Sequence, residues 1–388
     1  MKYWWKSRGR TLRRRLLSPL IFVVAAAILL VGCAGGATRQ ESWPGLIADD
    51  GTLYAANVDQ IQAFDAESGD VLWSWFPGEE PSRNSGFYAR PVLDEAHDLL
   101  LVAGFDDQTV YALRLGERGD VPGVAWTFPG DGSEDGARGQ YAGSGVVTDD
   151  LFLIGNGDGS IYAIDLEDGS LAWSFATGDR VWATPLVVGG TVYIASLDHY
   201  LYALNLSDGT EQWRLETRGA IAGSPVAVQG TIWFGDFGDQ IYEVDPETGD
   251  ILWIFEEGKD WFWATPVVDE DRLYFADVSG NVFALEAETH DLLWQTHIDD
   301  VFRGEGLIFD ENLYLPGHQG GRIYNLDVSN GDRIPWGEEP ENPRRLPSSL
   351  AMDDDLIFAM PILSTERIQA YGIVNGKLQW QYPQAEGE

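Results

Sequence analysis

Residues 183–213 read ATPLVVGGTVYIASLDHYLYALNLSDGTEQW. The stretch holds four short runs rich in Val, Ile, Leu, Tyr and Trp, and residues such as Gly, Asp and Asn separate the runs. β-Branched and aromatic residues favour strands, and these separators favour tight turns. The unit therefore predicts a four-stranded antiparallel meander.

The unit recurs along the chain. Further copies begin at Ser224-Pro225-Val226 and at Ala264-Thr265-Pro266, and each copy closes on a tryptophan. One sheet of about 40 residues cannot bury both faces, whereas sheets arranged radially cover one another. The chain is therefore predicted to be all-β, with an eight-bladed β-propeller of four-stranded antiparallel blades over residues 43–388. The tryptophans predicted to dock neighbouring blades are Trp73, Trp126, Trp173, Trp213, Trp253, Trp294, Trp336 and Trp380.

The last strand of most units follows a Gly-x-x-x-Trp pattern. It stands at Gly169–Trp173, Gly209–Trp213 and Gly249–Trp253, while His290 takes the glycine position in unit six. This pattern resembles the PQQ-like propeller repeat. Two groups share that repeat, namely the quinoprotein dehydrogenases and the BamB-like lipoproteins of outer-membrane protein assembly. The resemblance covers nearly the whole chain after residue 42; it implies the propeller fold and says little about function.

The N-terminus predicts export and lipidation. Residues 1–33 hold seven basic and no acidic residues, and an apolar run spans Leu20–Val31. Twelve residues are too few to cross a bilayer comfortably but suit the core of a signal peptide. Leu30–Cys33 looks like a lipobox, which predicts acylation of Cys33 and a short tether at residues 34–42. The expected location is the extracytoplasmic side of the cell membrane or the outer membrane.

Charge excludes one class of partner. The chain has 62 acidic and 25 basic residues, and seven of the basic ones lie before Cys33, so the part after it carries −44. Such a field repels nucleic acid. Nucleic acid is therefore not an expected partner. The lipoprotein leader and the resemblance to the BamB-like lipoproteins imply instead a protein partner in the cell envelope, held by a monomeric propeller.

The sequence offers little support for catalysis. The five histidines are scattered over different units without metal-ligand spacing, and the chain has no Gly-x-Ser-x-Gly elbow or phosphate loop. The quinoprotein dehydrogenases are longer and typically carry a vicinal cysteine pair, whereas this chain has one cysteine. The prediction is a non-enzymatic scaffold without cofactor or metal. A redox module with PQQ and Ca²⁺ at the axis, and a carbohydrate- or small-ligand-binding propeller, remain alternatives.

One loop face is predicted to bind the partner. With strands A to D counted outward from the axis, the B–C and D–A loops share a face, and the A–B and C–D turns share the other. Acidic runs collect on the second face, at Asp149-Asp150, Asp269–Asp271 and Asp353–Asp355. Nearly every D–A connector carries a basic residue: Arg83, Arg138, Arg180, Arg218, Lys259, Arg303, Arg344 and Arg345.

An aromatic residue often precedes strand A in these connectors, which predicts an arginine and aromatic rim around the channel mouth. Arg, Tyr and Trp dominate protein-binding hot spots. The predicted partner-binding residues are Tyr88, Tyr141, Arg180, Trp182, Arg218, Lys259, Trp261, Trp263, Phe302 and Arg303. The alternative is that the aromatic residues pack between blades and the arginines neutralise the acidic hairpins nearby.

Overall fold

A computed structural model describes residues 45–57, 59–78, 86–129, 137, 139–337, 345–346, 349–361 and 368–383. Across these residues the protein is all-β: its 32 strands form eight four-stranded sheets, and each sheet takes its strands in chain order. Every pairing is antiparallel, as between Leu186 and Tyr193 in the fourth sheet. The predicted eight-bladed β-propeller is confirmed.

The strands of each blade follow one another without exchange. Blades 1 to 4 contain β1 (Leu46–Asp49), β2 (Thr52–Asn57), β3 (Gln60–Asp65), β4 (Val71–Trp75), β5 (Val92–Asp94), β6 (Leu99–Ala103), β7 (Val110–Arg114), β8 (Gly123–Phe128), β9 (Gly145–Val147), β10 (Leu151–Gly155), β11 (Ser160–Asp165), β12 (Leu171–Ala176), β13 (Leu186–Val188), β14 (Thr191–Ala195), β15 (Tyr200–Asn205) and β16 (Glu211–Glu216). Blades 5 to 8 contain β17 (Val226–Val228), β18 (Thr231–Gly235), β19 (Ile241–Val244), β20 (Ile251–Phe255), β21 (Val267–Asp269), β22 (Arg272–Ala276), β23 (Asn281–Glu286), β24 (Leu292–His297), β25 (Leu307–Phe309), β26 (Asn312–Gly317), β27 (Arg322–Asp327), β28 (Arg333–Ile334), β29 (Ala351–Asp353), β30 (Leu356–Ala359), β31 (Ile368–Gly372) and β32 (Leu378–Tyr382).

The hydrophobic core lies between the blades. In blade 4 the two middle strands, β14 and β15, are buried over nearly their whole length, while β16 at the outer edge alternates between exposed and half-buried residues. Eight apolar clusters fill the eight interfaces between neighbouring blades. A middle strand buries both of its faces because each face packs on a different neighbour.

The ring closes between the first and the last blade. Leu53 and Phe64 of blade 1 share a cluster with Phe358 and Ala370 of blade 8. The indole Nε1 of Trp380 donates a hydrogen bond to the carbonyl of Ala66 at 2.9 Å. Closure therefore relies on side-chain packing between two complete blades.

A β-bulge recurs where the third and fourth strands pair. In seven blades the register slips by one residue at this place, as between Ala203 and Leu204 of β15. A bulge increases the local twist and re-aims the neighbouring side chain. The residue opposite Ala203 is Trp213, which lies in the cluster between blades 4 and 5.

Each of the eight clusters contains one of the repeat tryptophans, and six of the indoles donate to a carbonyl of the following blade. The donor–acceptor pairs are Trp126–Leu166, Trp173–Leu206, Trp213–Pro246, Trp294–Val328, Trp336–Ile373 and Trp380–Ala66.

Backbone hydrogen bonds assign the loops to two faces. Leu197, in the B–C turn of blade 4, donates to the carbonyl of Arg180 in the D–A connector at 3.0 Å. On the other face, Leu206 of the C–D turn donates to the carbonyl of Gly190 in the A–B turn at 2.9 Å. The acidic runs of the sequence lie in A–B turns, on this second face.

Candidate functional site at the channel mouth

A cavity of about 160 Å³ lies where the blades meet, and residues from all eight blades line it. Alternate residues of each D–A connector face the cavity, because extended backbone points successive side chains in opposite directions. They form two rings. The first ring contains Tyr88, Ala142, Trp182, Ala222, Trp263 and Arg303. The second ring, two residues further along each connector, contains Gly45, Arg90, Ser144, Thr184, Ser224, Thr265, Glu305 and Ser349.

The residue before each first-ring position points away from the cavity. It is fully buried between blades in the six connectors that contribute to the first ring, or almost so: Phe87, Tyr141, Val181, Ile221, Phe262 and Phe302. Leu346 is buried in the same way in the connector to blade 8. The structure therefore differs from the expected rim at Tyr141 and Phe302, which are both 0% exposed. Burial raises the pKa of the Tyr141 hydroxyl well above its ordinary value. In these two connectors the residues that line the cavity are instead Ala142 and Arg303.

Four aromatic rings form a ladder along the mouth, from Trp261 through Phe237 and Trp263 to Trp182. Phe237 is stacked on Trp261 with centroids 4.8 Å apart, and it lies 5.0 Å from Trp263. Trp263 in turn lies 6.5 Å from Trp182. The last pair comes from blades 4 and 6, and blade 5 between them has the small Ala222 in its ring position. A larger residue there would occupy the space between the two indoles.

Two arginines of the chain lie over the inner end of this ladder. The guanidinium carbon of Arg303 is 4.8 Å from the Trp263 ring centroid, and that of Arg180 is 5.9 Å from the Trp182 centroid. A cation within about 6 Å of an indole face is attracted by its quadrupole. Arg180 also lies 4.0 Å from Asp179, so its charge is partly balanced.

Three further predicted site residues, Tyr88, Arg218 and Lys259, lie on D–A connectors and are not part of the ladder. Tyr88 lines the cavity and packs on Phe105 with centroids 4.2 Å apart. Arg218 and Lys259 are exposed on their connectors. The backbone N–H of Lys259 donates to the Asp277 carboxylate at 3.1 Å.

An ion pair crosses the channel. Nη1 of Arg90 in blade 2 lies 3.6 Å from Oε2 of Glu305 in blade 7, and both side chains are about 40% exposed. An ion pair of such exposure contributes little to stability. It does join two blades that are not neighbours, at the level of the second ring. Hydroxyls of this ring also join adjacent blades, as where Ser224 Oγ accepts from the Thr184 N–H at 2.9 Å.

Carboxylates of the B–C turns hold the connectors in place. In blade 4, Oδ2 of Asp198 accepts hydrogen bonds from the Tyr202 hydroxyl at 2.7 Å and from the Gly178 N–H at 2.6 Å. The same tyrosine–aspartate bond joins Tyr111 to Asp107. Many turn acids of this face are therefore already committed to internal hydrogen bonds.

The cavity residues do not fit a calcium–quinone pair. Glu305 is the one carboxylate among the described cavity residues, and it already pairs with Arg90. Ca²⁺ takes six to eight oxygen ligands, usually with several carboxylates. Within the described part of the chain, no group of three or more His, Cys, Asp or Glu residues could hold a metal ion.

Three contributors to this site were missed by sequence reasoning. Phe237 interrupts a Gly- and Asp-rich B–C turn, and an aromatic residue in such a turn is a signal that could have been used. Arg90 and Glu305 occupy the position that holds Ser or Thr in several other units. A position-by-position alignment of the repeats would have singled both out.

Several sequence predictions lie outside the described residues. They include the leader at residues 1–33 with Cys33, the tether at residues 34–42, and Arg83, Arg138 and Arg344. Arg345 is described, and its side chain is exposed. No described helix is long and apolar enough to cross a membrane.

Comparison with solved structures shows the same fold at low sequence identity. BamB from Moraxella catarrhalis superposes with a TM-score of 0.66 at 16% identity, covering 81% of this chain and 92% of that one. The computationally designed Ika8 protein gives 0.69 at 14% identity, covering 86% and 97%. Quinohemoprotein alcohol dehydrogenase ADHIIG from Pseudomonas putida HK5 gives 0.60 at 13% identity, covering 84% and 69%.

Sequence comparison finds one relative among the quinone-dependent enzymes and a match to a family. The dehydrogenase subunit of the quinone alcohol dehydrogenase of Acetobacter aceti is 29% identical over an alignment of 198 residues, and the match covers 45% of this chain and 25% of that subunit. The chain thus matches only about a quarter of that relative's length. The family described as outer membrane protein assembly factor BamB matches residues 122–253 and 237–388, which together are more than half of the chain. The chain therefore belongs to the BamB family of β-propellers.

Proposed function

We propose that the protein is a non-enzymatic scaffold that binds a protein partner in the cell envelope through its channel mouth. The ladder formed by Trp182, Phe237, Trp261 and Trp263 carries this proposal. Clustered aromatic residues beside arginines are typical of binding hot spots. Membership of the BamB family adds support, since the family is named for outer membrane protein assembly.

The proposal includes a lipid anchor at the N-terminus. The basic segment, the apolar run Leu20–Val31 and Cys33 follow one another as in a lipoprotein leader. Acylated Cys33 and the tether of residues 34–42 would hold a monomeric propeller on the extracytoplasmic side of its membrane.

Cross-linking in native membranes tests the scaffold function. We expect the intact protein to capture a defined envelope protein, and the Trp182→Ala/Trp263→Ala variant to lose that protein while remaining folded. The Cys33→Ser variant is the control for anchoring, and mass spectrometry of the mature N-terminus detects the acyl group. Failure of the intact protein to capture any envelope protein would contradict the scaffold function, and an unmodified Cys33 would contradict the anchor.

A quinone-dependent redox function is a second candidate, and the match to the Acetobacter aceti subunit is the observation in its favour. The cavity residues argue against it, because Glu305 is paired and no further carboxylate lines the described cavity. Equilibrium dialysis with PQQ and Ca²⁺, followed by dye reduction, decides between the two. Calcium-dependent retention of the quinone would favour the redox function, and no retention would favour the scaffold.

A further inference from the structure

The aromatic ladder has two different ends. At the inner end Arg303 and Arg180 lie over Trp263 and Trp182. At the outer end Trp261 is 38% exposed and stacks on Phe237 on one side. No arginine or lysine of the described residues lies over the Trp261 ring. The chain therefore places cations on its own rings at one end and leaves the equivalent interaction open at the other.

Two carboxylates flank the outer end. Asp260 directly precedes Trp261, and its Oδ1 accepts the Trp261 N–H at 2.9 Å while its Oδ2 accepts the Ser279 hydroxyl at 2.9 Å. These two bonds fix the carboxylate next to the backbone of Trp261. Asp239 lies in the same B–C turn as Phe237, and its carboxylate makes no hydrogen bond or ion pair with any described residue.

The surroundings of Asp239 are deficient in positive charge. Partial desolvation, followed by repulsion from Asp260 and Asp236, raises the pKa of its carboxyl group, and the opposing attraction of Arg218 does not cancel these effects. Asp236 itself is fully buried and accepts backbone N–H groups of Gly219 and Gly238. A cation brought to this place from outside would relieve the repulsion and meet the exposed part of Trp261.

We propose that Trp261 and Phe237, together with the carboxylates of Asp239 and Asp260, bind an arginine or lysine side chain that the protein partner presents on an exposed basic segment. The inference rests on the proposed scaffold function and adds the chemistry of the partner. The overall charge of −37 favours the same partner, because it attracts basic segments and speeds their encounter with the protein.

Net charge alone would attract any basic peptide, so the test needs a matched acidic position elsewhere. Asp239 and Asp354 are both exposed, and both have positive φ, at 67° and 46°. Asparagine tolerates this conformation, so Asp239→Asn and Asp354→Asn each remove one charge with little effect on the backbone. Asp354 lies in an A–B turn, on the face opposite the ladder.

The first experiment measures fluorescence anisotropy of a labelled Gly-Ser-Arg repeat peptide at physiological salt, with a Gly-Ser-Glu repeat peptide as the negative probe. We expect Trp261→Ala and Asp239→Asn each to weaken binding of the arginine peptide about fivefold, as for a partly exposed cation–π contact with a charge partner. Asp354→Asn should leave the affinity unchanged. Unchanged binding by Trp261→Ala, or an equal loss in Asp239→Asn and Asp354→Asn, would overturn the inference.

The second experiment separates this inference from the scaffold function. Trp261→Ala and Asp239→Asn are placed in the membrane cross-linking experiment beside the unaltered protein. Loss of the captured partner in both variants supports the inference. A partner that both variants still capture overturns it and leaves the scaffold function standing. Absence of any partner from the unaltered protein contradicts the scaffold function, and the peptide result then decides the inference alone.

Discussion

The interface between blades 4 and 5 and the interface between blades 5 and 6 solve the same packing problem with different residues. At the first, the Trp213 indole packs on Gly249, where a Cβ atom would come within 2.6 Å of the ring, and its Nε1 donates to the Pro246 carbonyl at 3.0 Å. At the second, His290 stands in the glycine position and stacks on Trp253 with centroids 4.6 Å apart.

The interface with His290 differs from the regular interface at a second position, opposite the tryptophan. Glu243 is the cross-strand partner of Trp253, whereas the corresponding partner of Trp213 is Ala203. Oε2 of Glu243 lies 2.7 Å from Nε2 of His290. No described residue accepts a hydrogen bond from Trp253 Nε1, so the histidine–glutamate pair takes the place of the indole–carbonyl bond. The comparison teaches that different residues can supply the flat contact and the polar link that join two neighbouring blades.

The largest expected effect comes from removing the indole of the regular interface. Trp213→Ala should lower the free energy of unfolding by about 3–4 kcal/mol, because it creates a cavity and removes one of the two donors of the Pro246 carbonyl, which keeps only the Tyr193 hydroxyl. Trp253→Ala should cost about 1 kcal/mol less, since no indole hydrogen bond is lost. Denaturant unfolding measures both. Val374→Ala, at a residue 86% exposed, is the control that should change little.

The glycine of the regular interface should be the next most sensitive position. Gly249→Ala places a Cβ against Trp213 and forces alanine to φ 74°, so we expect a loss of about 2–4 kcal/mol. Gly230 has a similar φ of 84° with no atom near its missing Cβ, so Gly230→Ala should cost about 1–2 kcal/mol. Equal losses in the two variants would show that backbone conformation, and not contact with the indole, explains the glycine.

The histidine–glutamate pair should behave as a coupled unit. Glu243→Ala should cost about 1–3 kcal/mol, because it removes a hydrogen bond to a charged group in a mostly buried place. Combining it with His290→Gly restores the alanine and glycine of the regular interface, so the double variant should be more stable than the sum of the single losses implies. A double-mutant cycle gives the coupling, which we expect to be about 1–2 kcal/mol. Additive losses would mean that the two exchanges are independent.

His318 is almost fully buried, whereas His290 is half-buried. Burial, together with Arg303 and Arg345, lowers the pKa of His318 to about 4. The unfolded chain binds a proton near pH 6.5 and the folded protein does not, so the stability present at neutral pH is lost as the pH falls below 6.5 towards 4. The slope should reach at most about 1.4 kcal/mol per pH unit and be smaller where solvent screens the ring.

Unfolding measured between pH 7 and 5 checks this slope. His318→Gln removes the titrating group and should flatten the pH dependence, while His199→Gln, at an exposed turn residue, should not. Equal slopes for the unaltered protein and His318→Gln would contradict the explanation. Together with the Glu243–His290 cycle, the result would show whether the partner of a histidine, and not its burial alone, sets its contribution.

The repeats of the sequence determined the number of blades, the order of their strands and the positions of the eight interface tryptophans. These features depend on local patterns, namely alternating side chains, turn residues and a closing tryptophan that recurs every 40 to 53 residues, in most units as Gly-x-x-x-Trp. Each pattern is complete within one unit, so no knowledge of the neighbouring blade is needed to read it.

Tertiary structure alone decided which connector residues face the channel. A shift of one residue sends an extended side chain to the opposite side, and only the pairing of strand A fixes that register. For this reason Tyr141 and Phe302 are buried while Ala142 and Arg303 line the cavity. The Arg90–Glu305 pair joins residues more than 200 positions apart, and the ring ladder brings Phe237 to Trp261 and Trp263. Such contacts depend on how the blades are arranged around the axis, which a pattern confined to one unit does not contain.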